Sequence, residues 1–181
     1  MKKIMFNDKY GLTQAVLEGR KTQTRRTFFK PGEETLLDGI TPEYLISVRS
    51  RYKVGETIAI AQPYADITPQ VDWVKCMIRK ETLGWNNKMF VRAEDMPHHI
   101  RITKIRIERL QDIKSEDCLN EGIWRAGDVG FEGTTYWYHG LANSSFRTPQ
   151  EAYASLIDRI SGKGTWASNP YVFVYDFELI N

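Results

Sequence analysis

Gly19-Arg20-Lys21-Thr22-Gln23-Thr24-Arg25-Arg26 packs four basic residues and two hydroxyls into eight positions. It follows an amphipathic run from Asn7 to Glu18, where Leu12, Ala15 and Val16 recur at helical spacing. Asn7 or Asp8 stands where a capping side chain belongs. Gly19 can take the left-handed conformation that ends a helix, and Thr22 to Phe28 then reads as extended. That exit brings a lysine, a threonine and a pair of arginines close together. A lysine becomes a base once desolvation lowers its pKa, and a hydroxyl beside it becomes a nucleophile. Arginines hold phosphate. Lys21 and Thr24 are three residues apart, so on one regular strand they would face opposite sides. A shared site therefore requires Lys21 to sit in the irregular turn after Gly19.

Further along, Tyr52 to Ile60 reads as a turn at Gly55 feeding a strand. Ile100 and Ile102 share one parity, and Ile105 and Ile107 the other. A single regular strand would expose one pair. A β-bulge near Thr103-Lys104 places all four toward the core. Ser115 reads as the cap of a short helix with Glu116 and Asp117 in its first turn, ended by Gly122. Thr148-Pro149-Gln150-Glu151 has the pattern of a capping box opening a helix. Tyr153, Leu156, Ile157 and Ile160 form that helix's apolar stripe, which reads as scaffold. Tyr171 to Ile180 is the final strand, with Tyr171, Phe173, Tyr175, Phe177 and Leu179 on one face.

Two stretches interrupt this order. Residues 63–97 mix prolines with polar runs, and Trp73 to Ile78 and Lys88 to Val91 read as strands of a hairpin. Residues 124–147 carry Trp124, Trp137, Tyr138 and Phe146 among glycines. They form either a packed satellite cluster or a lid with base-stacking rings. Strands dominate, helices are few, and no βαβ alternation appears, so a closed α+β barrel is expected.

The chain has 181 residues, 41% hydrophobic and 27% charged, which suits one soluble domain. No apolar run approaches a membrane span and no signal-peptide core is present, so a cytoplasmic protein is expected. The net charge is only +2, yet Arg20 to Lys30 holds five basic residues and no acidic one. Arg49, Arg51 and Lys53 add a second basic run. Each run is either a solvated face or a phosphate-tracking patch. Cys76 and Cys118 form no disulfide framework and read as reduced thiols. His98, His99 and His139 show no zinc spacing, so no metal is expected.

The octet resembles the Gly-x-Lys-x-x-(Glu/Thr)-x-Arg signature of the ASCH family, a branch of the PUA-like β-barrels. Gly19, Lys21, Thr24 and Arg26 occupy its four fixed positions. The resemblance continues in Arg109-Leu110-Gln111-Asp112-Ile113, in Asn120-Glu121-Gly122-Ile123 and from Trp166 to Val174, in the order of the longer bacterial and phage members. It implies an α+β, PUA-like (ASCH) β-barrel with peripheral helices. The whole of 1–181 would be one domain, with insertions at about 63–97 and 124–147. Some ASCH proteins are amidohydrolases that remove the acetyl group of N4-acetylcytidine. Their lysine, threonine and glutamate match Lys21, Thr24 and Glu121, with no cofactor. Longer relatives often carry an acidic residue where Ala61-Gln62 stands, so Gln62 would offer a base edge hydrogen bonds without charge.

The expectation is therefore a protein that binds RNA or a modified nucleoside in a cleft. The octet, with Arg20, Arg25 and Arg26, would form it together with Gln62, Tyr64 and the Asn169-Pro170 corner. The sharper version is amide hydrolysis of an acylated cytidine. The alternatives are a non-catalytic RNA-binding module and a ribonuclease, although no histidine stands near the octet.

Overall fold

Residues Tyr171–Ile180 (β7) form the strand around which the others are ordered. In the computed structural model, residues 1–27, 39–68, 83–126, 134–140 and 145–180 are described. β7 pairs antiparallel with His99–Arg109 (β4) on one side and Gln23–Thr27 (β2) on the other. β4 also pairs antiparallel with Thr57–Ile60 (β3), and β3 pairs parallel with Lys2–Ile4 (β1). The order is β1-β3-β4-β7-β2, a mixed five-stranded sheet.

The expected closure of a barrel is not made by backbone pairing: among the described residues no ladder joins the edges β1 and β2. The three residues of β1 give little ladder to share. A side chain crosses instead, with Arg26 Nη2 on β2 donating to Met5 O just past β1 at 2.7 Å.

β4 carries the expected bulge. Ile102 faces Phe177 and Lys104 faces Asp176, so Thr103 is the extra residue. Ile100 and Ile102 are fully buried, and Ile105 and Ile107 pack against the same core. β7 departs from a one-faced reading. Val172 and Val174 are buried as well as Phe173, Tyr175 and Phe177, because a central strand is covered on both sides.

The first helix is shorter than the periodicity implies. Asp8–Tyr10 is a single 3-10 turn, Gly11 adopts φ 63°, and the α-helix proper is Leu12–Leu17 (α1). Asn7 makes no side-chain cap, and Asp8 instead accepts from Thr13 Oγ1 at 2.5 Å. Pro42–Arg49 (α2) is capped by Thr41. The 63–97 excursion contributes Tyr64–Ile67 (α3) and packs Tyr64, Ile67, Val91 and Met96 into a second apolar cluster with Ala59 and Ala61 of the β3 segment. Its expected hairpin is corrected in part. Lys88–Phe90 is a 3-10 turn with Met89 and Phe90 exposed, and Trp73 to Ile78 lies outside the described residues.

Ser115–Asn120 (α4) has Lys114 at its cap position. Ser115 is already inside the helix, where its Oγ accepts from Gln150 Nε2 at 3.0 Å. Trp124–Ala126 (β5) and Thr135–Trp137 (β6) form a hairpin with stacked Trp124 and Trp137 rings. Tyr138 is fully buried in the main core, so this part of the aromatic insertion packs onto the fold.

Pro149–Ser161 (α5) begins with the expected capping box: Thr148 accepts from Glu151 N, and Glu151 accepts from Thr148 N. α5 buries Ala152, Tyr153, Leu156 and Ile157 against the sheet. Thr165–Ser168 (α6) then leads into β7. Replacing Thr148 by Ala removes one arm of the box and lowers stability by about 1 kcal/mol. Urea denaturation at unchanged m-value measures it.

Candidate functional site

Gly19 ends the first helical segment at φ 71°, and the amides of Arg20 and Lys21 both donate to Ala15 O. The chain is therefore still in the turn at Lys21, and β2 begins only at Gln23. This places the Lys21 side chain inside the protein rather than on a strand face. Gly122 sits against it. A Cβ there would lie 3.1 Å from Leu12 Cδ2, a tight approach, and the backbone at φ 103° favours glycine.

Lys21 is 2% exposed, yet its ammonium is fully engaged. Nζ donates to Glu121 Oε2 at 2.5 Å, to Glu121 O at 2.9 Å and to Gln23 O at 2.7 Å. Three acceptors match the three N–H bonds of a lysinium. Burial nonetheless lowers its pKa, and the Glu121 carboxylate only partly offsets that. Proton loss from Lys21 is thus easier than from a solvated lysine.

Glu121, itself 4% exposed, is held from its other oxygen by Arg25 Nη1 at 3.2 Å. Arg25 also donates to Glu108 Oε1 from Nε at 3.0 Å and from Nη2 at 2.5 Å, and reaches Asp117 Oδ2 at 3.3 Å. Arg106 completes the array on Glu108, Asp117 and Asp176. Lys21, Arg25 and Arg106 thus stand among four carboxylates. Burial opposes the Arg25 charge, but Glu121 and its neighbours outweigh it, so the net shift is upward and the guanidinium stays charged.

A cavity of about 650 Å³ opens beside this array, within the size range of small-molecule sites. Lys21, Glu121 and Thr24 all line it, so the three residues expected to act together do converge. Thr24 is buried, and among the described residues its hydroxyl has no hydrogen-bond partner while bordering the cavity. Phe6 lies beneath the lysine, its ring centre 5.9 Å from Nζ. Leu110, Leu156 and Ile157 supply an apolar wall.

Tyr153 was not among the expected site residues. Its ring is buried and lines the cavity, and its hydroxyl likewise has no hydrogen-bond partner among the described residues. Burial first, then the Glu121 carboxylate, push its phenol well above the usual value of 10.0, so it is a neutral donor. The scaffold reading of α5 is accordingly corrected: Tyr153, Ile160 and Ser161 face the cavity from it. The clue was a tyrosine inside an otherwise aliphatic stripe.

Other expectations are also corrected. Arg25 is no phosphate ligand, because its guanidinium is committed to Glu108, Asp117, Glu121 and the Gln23 amide oxygen. Gln62 and Tyr64 do not line the cavity with the octet. Gln62 is buried beside Met96, and Tyr64 is buried in the second cluster with its hydroxyl on Asp95 at 2.6 Å. Asn169 is structural: at φ 45° it closes α6, and its Oδ1 accepts from Gln111 N at 2.8 Å. Arg20 lies 3.7 Å from the Trp124 ring and pairs with Glu18, away from the cavity lining. Arg26 is exposed, borders the cavity and has no carboxylate partner among the described residues. Cys118 is no nucleophile, since burial pushes its thiol up to about 12. Cys76 lies outside the described residues. Among the described residues there is no cluster suited to a metal and no helix long and apolar enough to cross a membrane.

No protein-family profile matches this chain, and no curated protein matches it. Among solved structures, the crystal structure of protein EF3133 from Enterococcus faecalis V583, family model DUF984, aligns at 15% identity and TM-score 0.42. The alignment covers 99% of this chain and 77% of that one. A likeness of that degree fixes neither fold family nor function.

The two adjacent arginines of the octet should separate sharply. Arg25→Ala leaves Glu121, Glu108 and Asp117 without their shared cation and costs about 3–5 kcal/mol. Arg26→Ala, at an exposed position, changes stability by no more than about 0.5 kcal/mol. Equilibrium urea unfolding of both variants reads the difference.

Proposed function

We propose that this protein is an ASCH-type amidohydrolase acting on the acyl group of N4-acetylcytidine or a related acylated base. The observation that carries the reading is the buried Lys21–Glu121 pair in one cavity with Thr24, whose hydroxyl has no hydrogen-bond partner among the described residues. The reading takes the five-stranded sheet as a PUA-like barrel whose edges are bridged by the Arg26 side chain at Met5 O. The bulged β4 and the helix pair α4 and α5 are consistent with it. The assignment to the ASCH family rests on the resemblance of Gly19, Lys21, Thr24 and Arg26 to its signature.

The chemistry follows from the residues. Lys21 enters as the free amine, which burial favours over the charged form, and Glu121 holds it across their 2.5 Å contact. Neutral Lys21 then takes the Thr24 proton, and Thr24 Oγ1 attacks the acyl carbon. The carbonyl oxygen gains negative charge and is met by the neutral Tyr153 hydroxyl, with Arg26 adding positive charge from the wall. The C–N bond breaks as the leaving cytosine amine takes a proton from the Lys21–Glu121 pair. An acetyl ester remains on Thr24. Water, deprotonated by the same pair, attacks that ester and releases acetate, restoring the hydroxyl. Phe6 and the aliphatic wall suit a planar base.

A second reading, a non-catalytic RNA-binding module, draws on the exposed Arg26, which has no carboxylate partner among the described residues. The ribonuclease reading lacks support at this cavity, because no histidine lines it among the described residues.

Chromatography after incubation with N4-acetylcytidine separates these readings. Wild type is expected to yield cytidine. Thr24→Ala lowers turnover at least about a thousandfold while still binding the nucleoside. Tyr153→Phe lowers kcat by about 10²–10³-fold. Lys21→Met, which leaves Glu121 its Arg25 partner, is also inactive and stays folded by circular dichroism. Absence of product at high wild-type concentration rejects hydrolysis of this substrate and favours the module.

The pH dependence has a fixed sign. Lys21 works as a base only when unprotonated, and burial lowers its pKa from 10.5. Activity is therefore lost as pH falls through the Lys21 pKa, and the rising limb of kcat/KM is centred below pH 10.5. A rising limb centred at or above that value in a pH–rate profile rejects the lysine base.

A further inference from the structure

A second cavity, of about 350 Å³, adjoins the first. Met5, Arg26 and Thr27 line both, so Arg26 stands on the partition between them. Lys3, Arg26, Arg49 and Arg51 surround this second space, and no acidic residue lines it among the described residues. Its floor is aromatic: Tyr52 and Tyr175 meet edge to face at 5.2 Å.

These cations differ in what they already hold. Lys3 Nζ is tied to Met89 O at 2.7 Å and Val91 O at 2.6 Å. Arg49 ends α2 and Arg51 follows it, and both are exposed with no carboxylate partner among the described residues. Arg51 lies 5.6 Å from the Tyr52 ring, and Lys2 Nζ fixes its backbone by donating to Arg51 O at 2.6 Å. The contrast with Arg25 is direct. There every guanidinium arm meets an internal carboxylate or amide oxygen; here the arms are unspent. Two arginine forks without carboxylate partners among the described residues, one of them over Tyr52, beside a nucleoside-sized cavity match the oxygens of a phosphate ester.

We propose that the second cavity is a phosphate subsite, held by Arg49 and Arg51, for a phosphate carried on the nucleoside whose base enters the first cavity. The substrate is then a nucleotide, free or within an RNA strand, rather than a bare nucleoside. The inference rests on the nucleoside reading of the first cavity and adds the charged part of the substrate to it. Sequence already isolated Arg49, Arg51 and Lys53 as a basic run. The fold brings the two arginines to the rim of the cavity that Arg26 shares, whereas Lys53 is not among its lining residues.

Calorimetric titration with cytidine and cytidine 5′-monophosphate tests the subsite without requiring catalysis. The monophosphate is expected to bind wild type at least about tenfold more tightly at low salt, with the advantage shrinking as salt rises. The Arg49→Ala/Arg51→Ala double variant, altered only at exposed positions, is expected to lose that advantage. Equal affinity for the two ligands, binding of neither, or an advantage that survives in the double variant overturns the subsite. A short oligoribonucleotide distinguishes the sources of the phosphate. Tighter binding than the monophosphate, again lost in the variant, identifies a strand; equal binding identifies the mononucleotide. Turnover of acetylated cytidine and its 5′-monophosphate is followed in parallel. Failure to hydrolyse either rejects the amidohydrolase reading alone, because the titration still decides the subsite.

Discussion

A lysine withdrawn from water must meet compensating charge and hydrogen bonds, and in this protein that demand organises three separate elements. Lys21 comes from the turn after α1, Glu121 from the end of α4, and Gln23 O from the start of β2. Their union ties the N-terminal helix, the later helix and the sheet edge together. The desolvation cost of such a pair is several kcal/mol per ion and is recovered only with good geometry and satisfied protons. The three short contacts at Lys21 Nζ meet that condition. The pair is thus poorly explained as a device for stability alone, since apolar residues could fill the same space at lower cost. It lies on a cavity wall with Thr24 and Tyr153, whose hydroxyls have no hydrogen-bond partner among the described residues.

Arg25 extends the constraint outward. One guanidinium links Glu121 to Glu108 on β4 and Asp117 on α4, and Arg106 carries the array on to Asp176 on β7. Glu121 is therefore fixed by a lysine on one oxygen and an arginine on the other. A carboxylate so held cannot swing away when its partner changes protonation state, which is the preorganisation that proton transfer in a closed site requires. The array also divides labour between neighbours in sequence. Arg25 is consumed by internal acceptors, while Arg26, on the opposite face of the strand, is exposed and donates to Met5 O.

The two cavities lie between the edges β1 and β2, which no ladder joins among the described residues. Where backbone pairing would seal the sheet, both cavities lie instead, lined from one side by Met5 and from the other by Arg26 and Thr27. A closed ladder at that seam would fill the space with backbone. Leaving it unpaired exposes edge groups, and here the Arg26 side chain satisfies one of them at Met5 O.

Much of the local structure was legible in the chain. The Thr148 capping box, the bulge at Thr103 and the left-handed exit at Gly19 each follow from rules acting within a few residues. The convergence of Lys21 and Thr24 also followed from local logic, since it needed only that the turn persist past Arg20. Matching Glu121 to that pair drew on family resemblance, because a hundred residues of chain separate Glu121 from Lys21 and periodicity is blind at that range. Tertiary structure alone decided the rest. It turned Arg25 inward to four buried or half-buried partners and sent Tyr64 and Gln62 into a second cluster. It also brought Tyr153 from a helix that reads as scaffold onto the cavity wall. These outcomes depend on which faces meet across the sheet, and burial energy is set by that meeting rather than by any residue's own neighbours in sequence.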